Sequence, residues 1–178
     1  MPNQLTRRLT EGAVIAALYV VLTYVSRLFG LADGAIQFRL SEVLTVLPVF
    51  TPAAIPGLTI GCLLANLGSP YGPADILSGT AATLLAAVAT YLLRRIRIKG
   101  LPVLAPLPPV LCNGILVGVV VAIMNEAGQL IPSAFTWPAF LLTALTVALG
   151  ELVVCILGGY PLMLLLRRYH VPFAPHQK

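Results

Sequence analysis

Ile36-Gln37-Phe38-Arg39-Leu40-Ser41-Glu42-Val43-Leu44 sets a cation and an anion at the lip of an otherwise apolar segment. Charged side chains beside hydrocarbon are costly, and those that are kept there ask for a reason. Arg39 and Glu42 stand three apart, which on a helix puts them on one face and within reach of each other. Two readings are open: an interfacial ion pair that positions the segment, or the rim of a pocket for a polar solute. The surrounding composition decides what kind of fold carries them. Of 178 residues, 58% are hydrophobic and only 10% charged, where soluble domains carry roughly 25% charged residues. Mean hydropathy is +0.95. The chain reads as an integral membrane protein.

The net charge of +5 would suggest nucleic acid in a soluble protein. In a bilayer the location of Lys and Arg matters instead, because it fixes orientation, so nucleic acid is excluded as a partner. Met1 to Arg8 lead into a long apolar run with no small-residue cleavage site, which is expected to be a retained span and not a removed signal. Cys62, Cys112 and Cys155 are isolated in apolar runs without CxxC or Cys/His spacing, and read as packing residues with no metal role.

A span needs about 20 apolar residues, and closed backbone hydrogen bonding restricts it to helix or barrel. Runs this long and unalternating mean helices. Six are expected, at about 10–29, 39–50, 54–68, 74–93, 108–127 and 138–169, forming one transmembrane domain over 1–178. Charge settles the division between the second and third, where Pro48, Pro52 and Pro56 interrupt continuous hydropathy. Arg7 and Arg8, and the loop with Arg94, Arg95, Arg97 and Lys99, should both be cytoplasmic, which requires an even number of crossings between them. Both ends then lie inside. Of eleven Lys and Arg residues, all but Arg27 and Arg39 fall on the cytoplasmic side. The first helix carries Ala13 and Ala17 at i,i+4, a small-residue pair that lets another helix approach closely in lipid, whether within the fold or from a partner. The last is loosened at Gly158-Gly159-Tyr160-Pro161.

This topology puts Arg39, Glu42, Tyr71, Asp75, Asn125, Glu126 and Trp137 at the outer ends of helices or in outer loops. Glu151 lies deeper, roughly 20 Å below Trp137 at ~1.5 Å per residue, and Asn113 reaches a comparable depth from the other side. The outer half thus holds four carboxylates, an arginine, an Asn pair and aromatic faces. Carboxylates accept from amidine-type edges, amides read mixed edges and rings stack, so the inventory suits a planar heterocycle rich in N–H donors or bearing an amine. Asp75 also suits a helix cap, Trp137 a membrane anchor and Tyr71 a turn. No GxxxxGK[ST] loop is present, so ATP hydrolysis by the P-loop route is excluded. His170 and His176 both fall in the tail, which disfavours a metalloprotease or Ser/His enzyme.

With Ile36 to Pro48, Pro56-Gly-Leu-Thr-Ile-Gly-Cys-Leu-Leu-Ala-Asn66 and Asp75-Ile-Leu-Ser-Gly-Thr-Ala-Ala-Thr83 in view, the chain resembles the QueT family of queuosine-precursor transporters, over nearly its whole length. These are substrate-binding S components of energy-coupling factor (ECF) transporters. The resemblance implies a six-helix protein of the prokaryotic cell membrane that is not an enzyme, uses no cofactor, and works as part of an ABC-type importer. It implies a partner module of two ATPases and a transmembrane coupling protein, which would meet Ala13 and Ala17. The implied solute is a 7-deazaguanine such as 7-aminomethyl-7-deazaguanine or queuine. The alternatives are a stand-alone proton-coupled carrier with Glu151 as relay, and a scaffold that binds no solute.

Overall fold

The computed structural model describes residues 3–32, 36–98, 101–125 and 129–168, and its regular structure is helical apart from two isolated bridges. Helix α1 spans Gln4–Leu28, with the Asn3 side chain accepting from the Leu5 amide at its start. Thr10, Thr23 and Ser26 donate to the carbonyls four residues back, so polar groups cross the apolar run already satisfied. The helix stops because Gly30 takes a left-handed φ of +68°. The Gly30 amide then reaches the Arg27 carbonyl at 2.8 Å and that of Leu31 reaches Ser26 at 2.9 Å, the paired closure that left-handed termini make.

The stretch expected as a second span over 39–50 is a ten-residue 3-10 helix, Leu40–Val49, with Pro48 inside it. Such helices rise ~2.0 Å per residue against ~1.5 Å for an α-helix. Its ten residues therefore cover about the same depth as the thirteen of α2, Ala54–Asn66. Helix α3 runs Gly72–Leu93, opened by Gly72 at φ +67° and Pro73. Helix α4, Leu107–Ala122, begins on Pro108 and Pro109 and ends before Ile123, shorter than the 108–127 expected. Helix α5 spans Trp137–Val154, capped by the Thr136 hydroxyl accepting from the Ala139 amide. A π-turn over Cys155–Gly159 joins it to α6, Tyr160–Arg168. Pro161 explains the turn, since it has no N–H to give residue 157 and its ring crowds that carbonyl.

Small residues set the packing. A Cβ on Gly57 would lie 2.8 Å from the Gly12 carbonyl oxygen, one on Gly61 2.7 Å from Tyr19 Cβ, and one on Gly68 2.7 Å from the Tyr24 hydroxyl. Contacts advance together along both chains, so α1 and α2 run parallel and the 3-10 helix returns the chain between them. Gly114 and Gly118 of α4 meet Ala148 and Ala144 of α5 in the opposite order, an antiparallel pair. The interior is built on Ile15, Tyr19, Leu44, Leu47, Leu58 and Cys62. Three helical stretches, α1, α3 and the continuous Trp137–Arg168, are long and apolar enough to cross a membrane. The protein is an all-α membrane protein. Arg7 and Leu166 line one groove, which puts the start of α1 and the end of α6 at the same end of the bundle. Thr51 bonds Glu11 there at 2.9 Å. Arg39 and Asp75 meet at the other end.

Candidate functional site

Arg39 precedes the 3-10 helix with extended backbone, φ −93° and ψ 108°, and is 6% exposed. Its guanidinium ties three elements together. Nη1 donates to Asn66 Oδ1 at 3.2 Å, Nη2 to Asp75 Oδ2 at 3.4 Å and Nε to the Ala32 carbonyl at 3.5 Å. Asp75 Oδ2 also accepts from Ser69 Oγ at 2.6 Å, and Asn66 Nδ2 donates to the Asp75 carbonyl at 3.4 Å. Among the described residues, Arg39 thus forms an ion pair with Asp75 on α3. The three-residue spacing to Glu42 does not govern it, because Arg39 itself is not helical.

Glu42 sits one turn further in, 2% exposed. Its Oε1 accepts from the Tyr19 hydroxyl of α1, and its Oε2 has no hydrogen-bond partner among the described residues. Beside it Thr23 Oγ1 bonds Ser41 Oγ at 2.9 Å. The Glu42 carbonyl accepts from Thr45 Oγ1 at 2.6 Å.

Glu151 accepts from Asn113 Nδ2 at 2.7 Å, which joins α5 to α4 in the interior, with the two residues 7% and 4% exposed. Its other oxygen lies 3.9 Å from Cys155 Sγ. That sulfur is 3.6 Å from Thr45 Oγ1 and 3.8 Å from the Glu42 carbonyl, so a single atom touches both carboxylate-bearing elements. Glycines make the approach feasible. A Cβ on Gly150 would stand 2.2 Å from the Gln37 carbonyl oxygen, and one on Gly158 2.3 Å from Val43 Cγ2.

The structure brings Arg39, Glu42, Asp75, Asn113 and Glu151 into the buried interior. It places three other candidates elsewhere. Tyr71 is half-buried in the turn before α3, where its amide donates to Ser69 Oγ at 3.2 Å. Asn125 lies past the end of α4, where it bonds Gln129, with Nδ2 on Gln129 Oε1 at 3.2 Å and Oδ1 accepting the Gln129 amide at 2.8 Å. Trp137 is 69% exposed and packs edge-on to Phe135 at 5.5 Å and Phe140 at 6.1 Å. Glu126 lies outside the described residues. Ala13 and Ala17 are exposed and, with Pro56, Gly57, Ile60 and Leu64, line an open groove of about 490 Å³ between α1 and α2.

Tyr19, Thr45, Asn66, Ser69 and Cys155 were not singled out from the sequence. Tyr19 and Asn66 sit in long apolar runs, where neither stands out until a partner is known. Cys155, read as a packing residue, lies four residues after Glu151 and hence on the same helical face, and that spacing was the available signal.

The cluster joins a matched guanidinium–carboxylate pair to two further carboxylates held by neutral donors, and carboxylate oxygens are acceptors for N–H groups. Comparison with known proteins adds a family. A match to the model of the "QueT transporter" family covers residues 9–168. The "Queuosine precursor transporter QueT" of Lactococcus lactis subsp. cremoris (strain MG1363) is 40% identical over 85 residues, 48% of this chain and 50% of the relative. The match thus spans half the length of that curated relative. No solved structure matches. Since the family match runs from within α1 to the end of α6 and includes every buried polar side chain described above, the chain belongs to the QueT transporter family.

Proposed function

We propose that the protein is the solute-binding membrane subunit of an ECF-type importer, and that it captures a 7-deazaguanine base, a queuosine precursor, for uptake driven by a separate ATPase module. The observation that carries this reading is the buried polar cluster of Arg39, Glu42, Asn66, Asp75, Asn113 and Glu151 in an otherwise apolar bundle. Polar groups cost free energy in such surroundings unless they are bonded, and a guanine-like edge offers adjacent N–H donors to carboxylates. The name of the Lactococcus relative points to the same solute class. In this reading six segments cross the membrane, both chain ends face the cytoplasm, and the Arg39 end opens to the outside. The coupling protein docks on the exposed Ala13 and Ala17.

Thermal unfolding of purified protein with 7-deazaguanines tests the solute. Ligand at 100 times its dissociation constant should add about 2.7 kcal/mol of stability, and no shift with any candidate base would defeat the assignment. The burial of an ionisable Glu151 in the bundle interior also favours a second reading, a self-sufficient carrier with Glu151 as proton relay. Uptake in cells separates the two: the importer subunit needs the ATPases, whereas the carrier works without them and stops when the proton gradient is dissipated.

A further inference from the structure

Among the described residues, one oxygen of Glu42 is left with nothing to bond: Oε2 has no hydrogen-bond partner in a residue 2% exposed, while Oε1 is engaged by Tyr19. Leaving a buried charged acceptor bare is costly, so it marks a place that a donor fills. The balance of charge points to the same spot. The buried charged side chains among the described residues are Arg39, Glu42, Asp75 and Glu151. The guanidinium is matched by Asp75 at 3.4 Å. Glu42 and Glu151 remain: Glu42 holds one neutral donor, the Tyr19 hydroxyl, and Glu151 holds two, Asn113 and the Cys155 thiol at 3.9 Å, the same sulfur lying 3.8 Å from the Glu42 main-chain carbonyl.

We infer that Glu42 Oε2, backed by Glu151, forms an ammonium subsite that receives the amine of the solute's side chain, while Arg39 and Asp75 act as a clasp between elements. The inference rests on the 7-deazaguanine reading and deepens it by assigning the amine to its own carboxylates. An ammonium brings one positive charge and three donors, enough to bond Oε2 and reach toward the second carboxylate. A nitrile at the same position brings no donor and no charge. The site therefore selects for a cationic substituent and not only for the base.

The test is equilibrium binding, to the purified protein in lipid nanodiscs, of 7-aminomethyl-7-deazaguanine and of the same base carrying a 7-cyano group. The unsubstituted protein should prefer the amine by about tenfold or more, as a charged hydrogen bond implies. Glu42→Gln should bring the two ligands to within about threefold of each other, and Glu11→Gln, at the opposite end of the bundle, should keep the preference. Equal affinities in the unsubstituted protein, or a preference that survives in Glu42→Gln, overturn the inference. Should Glu42→Gln not fold, Glu151→Gln takes its place, with a reduced preference expected and an unchanged one overturning the claim. Binding of neither base defeats the proposed function together with this inference, whereas equal binding of both defeats the inference alone.

Discussion

Replacing Arg39 by Met leaves the Asp75 carboxylate buried with Ser69 as its remaining side-chain donor. Breaking a buried pair from one side costs about 3–5 kcal/mol, whereas replacing both partners by apolar residues is often neutral. Arg39→Met should therefore destabilise the protein by about that amount and Arg39→Met with Asp75→Leu by clearly less, as chemical unfolding in detergent would show; equal losses would mean the pair is not coupled. At the second carboxylate pair, Glu42→Gln and Glu151→Gln should both weaken solute binding while expression and membrane insertion stay intact, and normal binding by both would remove these residues from the site. The sequence marked these side chains by type and rarity: five of its nine candidates, Arg39, Glu42, Asp75, Asn113 and Glu151, are buried. It could not rank their partners. The choice of Asp75 over Glu42 for Arg39 depends on Arg39 standing in extended backbone before the helix begins, which hydropathy does not register.

The helices α1 and α2 meet through glycine. Gly61→Leu would drive a side chain into Tyr19, whose Cβ already lies 2.7 Å from where a Cβ at 61 would be. Overpacking typically costs about 1–3 kcal/mol, and because Tyr19 holds Glu42, a lower melting temperature should come with weaker solute binding. A Trp at Ala13 or Ala17 points into the open groove instead, so Ala13→Trp and Ala17→Trp should spare solute binding and block uptake. Equal loss of both would place that face within the fold. The long apolar elements were readable because, of the two structures that satisfy the backbone in lipid, long unalternating runs fit helix and not barrel strands. The 3-10 form of Leu40–Val49 was not, since the pattern of apolar residues is nearly the same at three residues per turn and at 3.6 over so short a stretch. The end of α4 falls short of the expected one for a related reason: Ile123 and Met124 continue the apolar run, but the Asn125 amide bonds the Gln129 carbonyl at 3.0 Å instead of the helical carbonyl four residues back.

The bundle as a whole separates charge by end. Arg7, Glu11 and Thr51 gather where α1 begins and α6 finishes, and the Arg39–Asp75 clasp closes the opposite end. A cysteine placed at Val103 should react with impermeant reagent only from the cytoplasm, and one at Ser133 only from outside; the reverse would invert the orientation and detach the buried cluster from the outer compartment. Background labelling should be low, because Cys62 and Cys155 are buried and Cys112 half-buried. One feature of the last helical stretch reaches across the molecule. At the π-turn the Tyr160 amide reaches back five residues to the Cys155 carbonyl. Deleting Leu157 would let ordinary winding resume while Arg167 and Arg168 keep nearly the same facing relative to Glu151, because the wide turn takes up one extra residue. The shortened chain would remain one continuous rod, with its terminal arginines still turned toward the same sector of lipid headgroups.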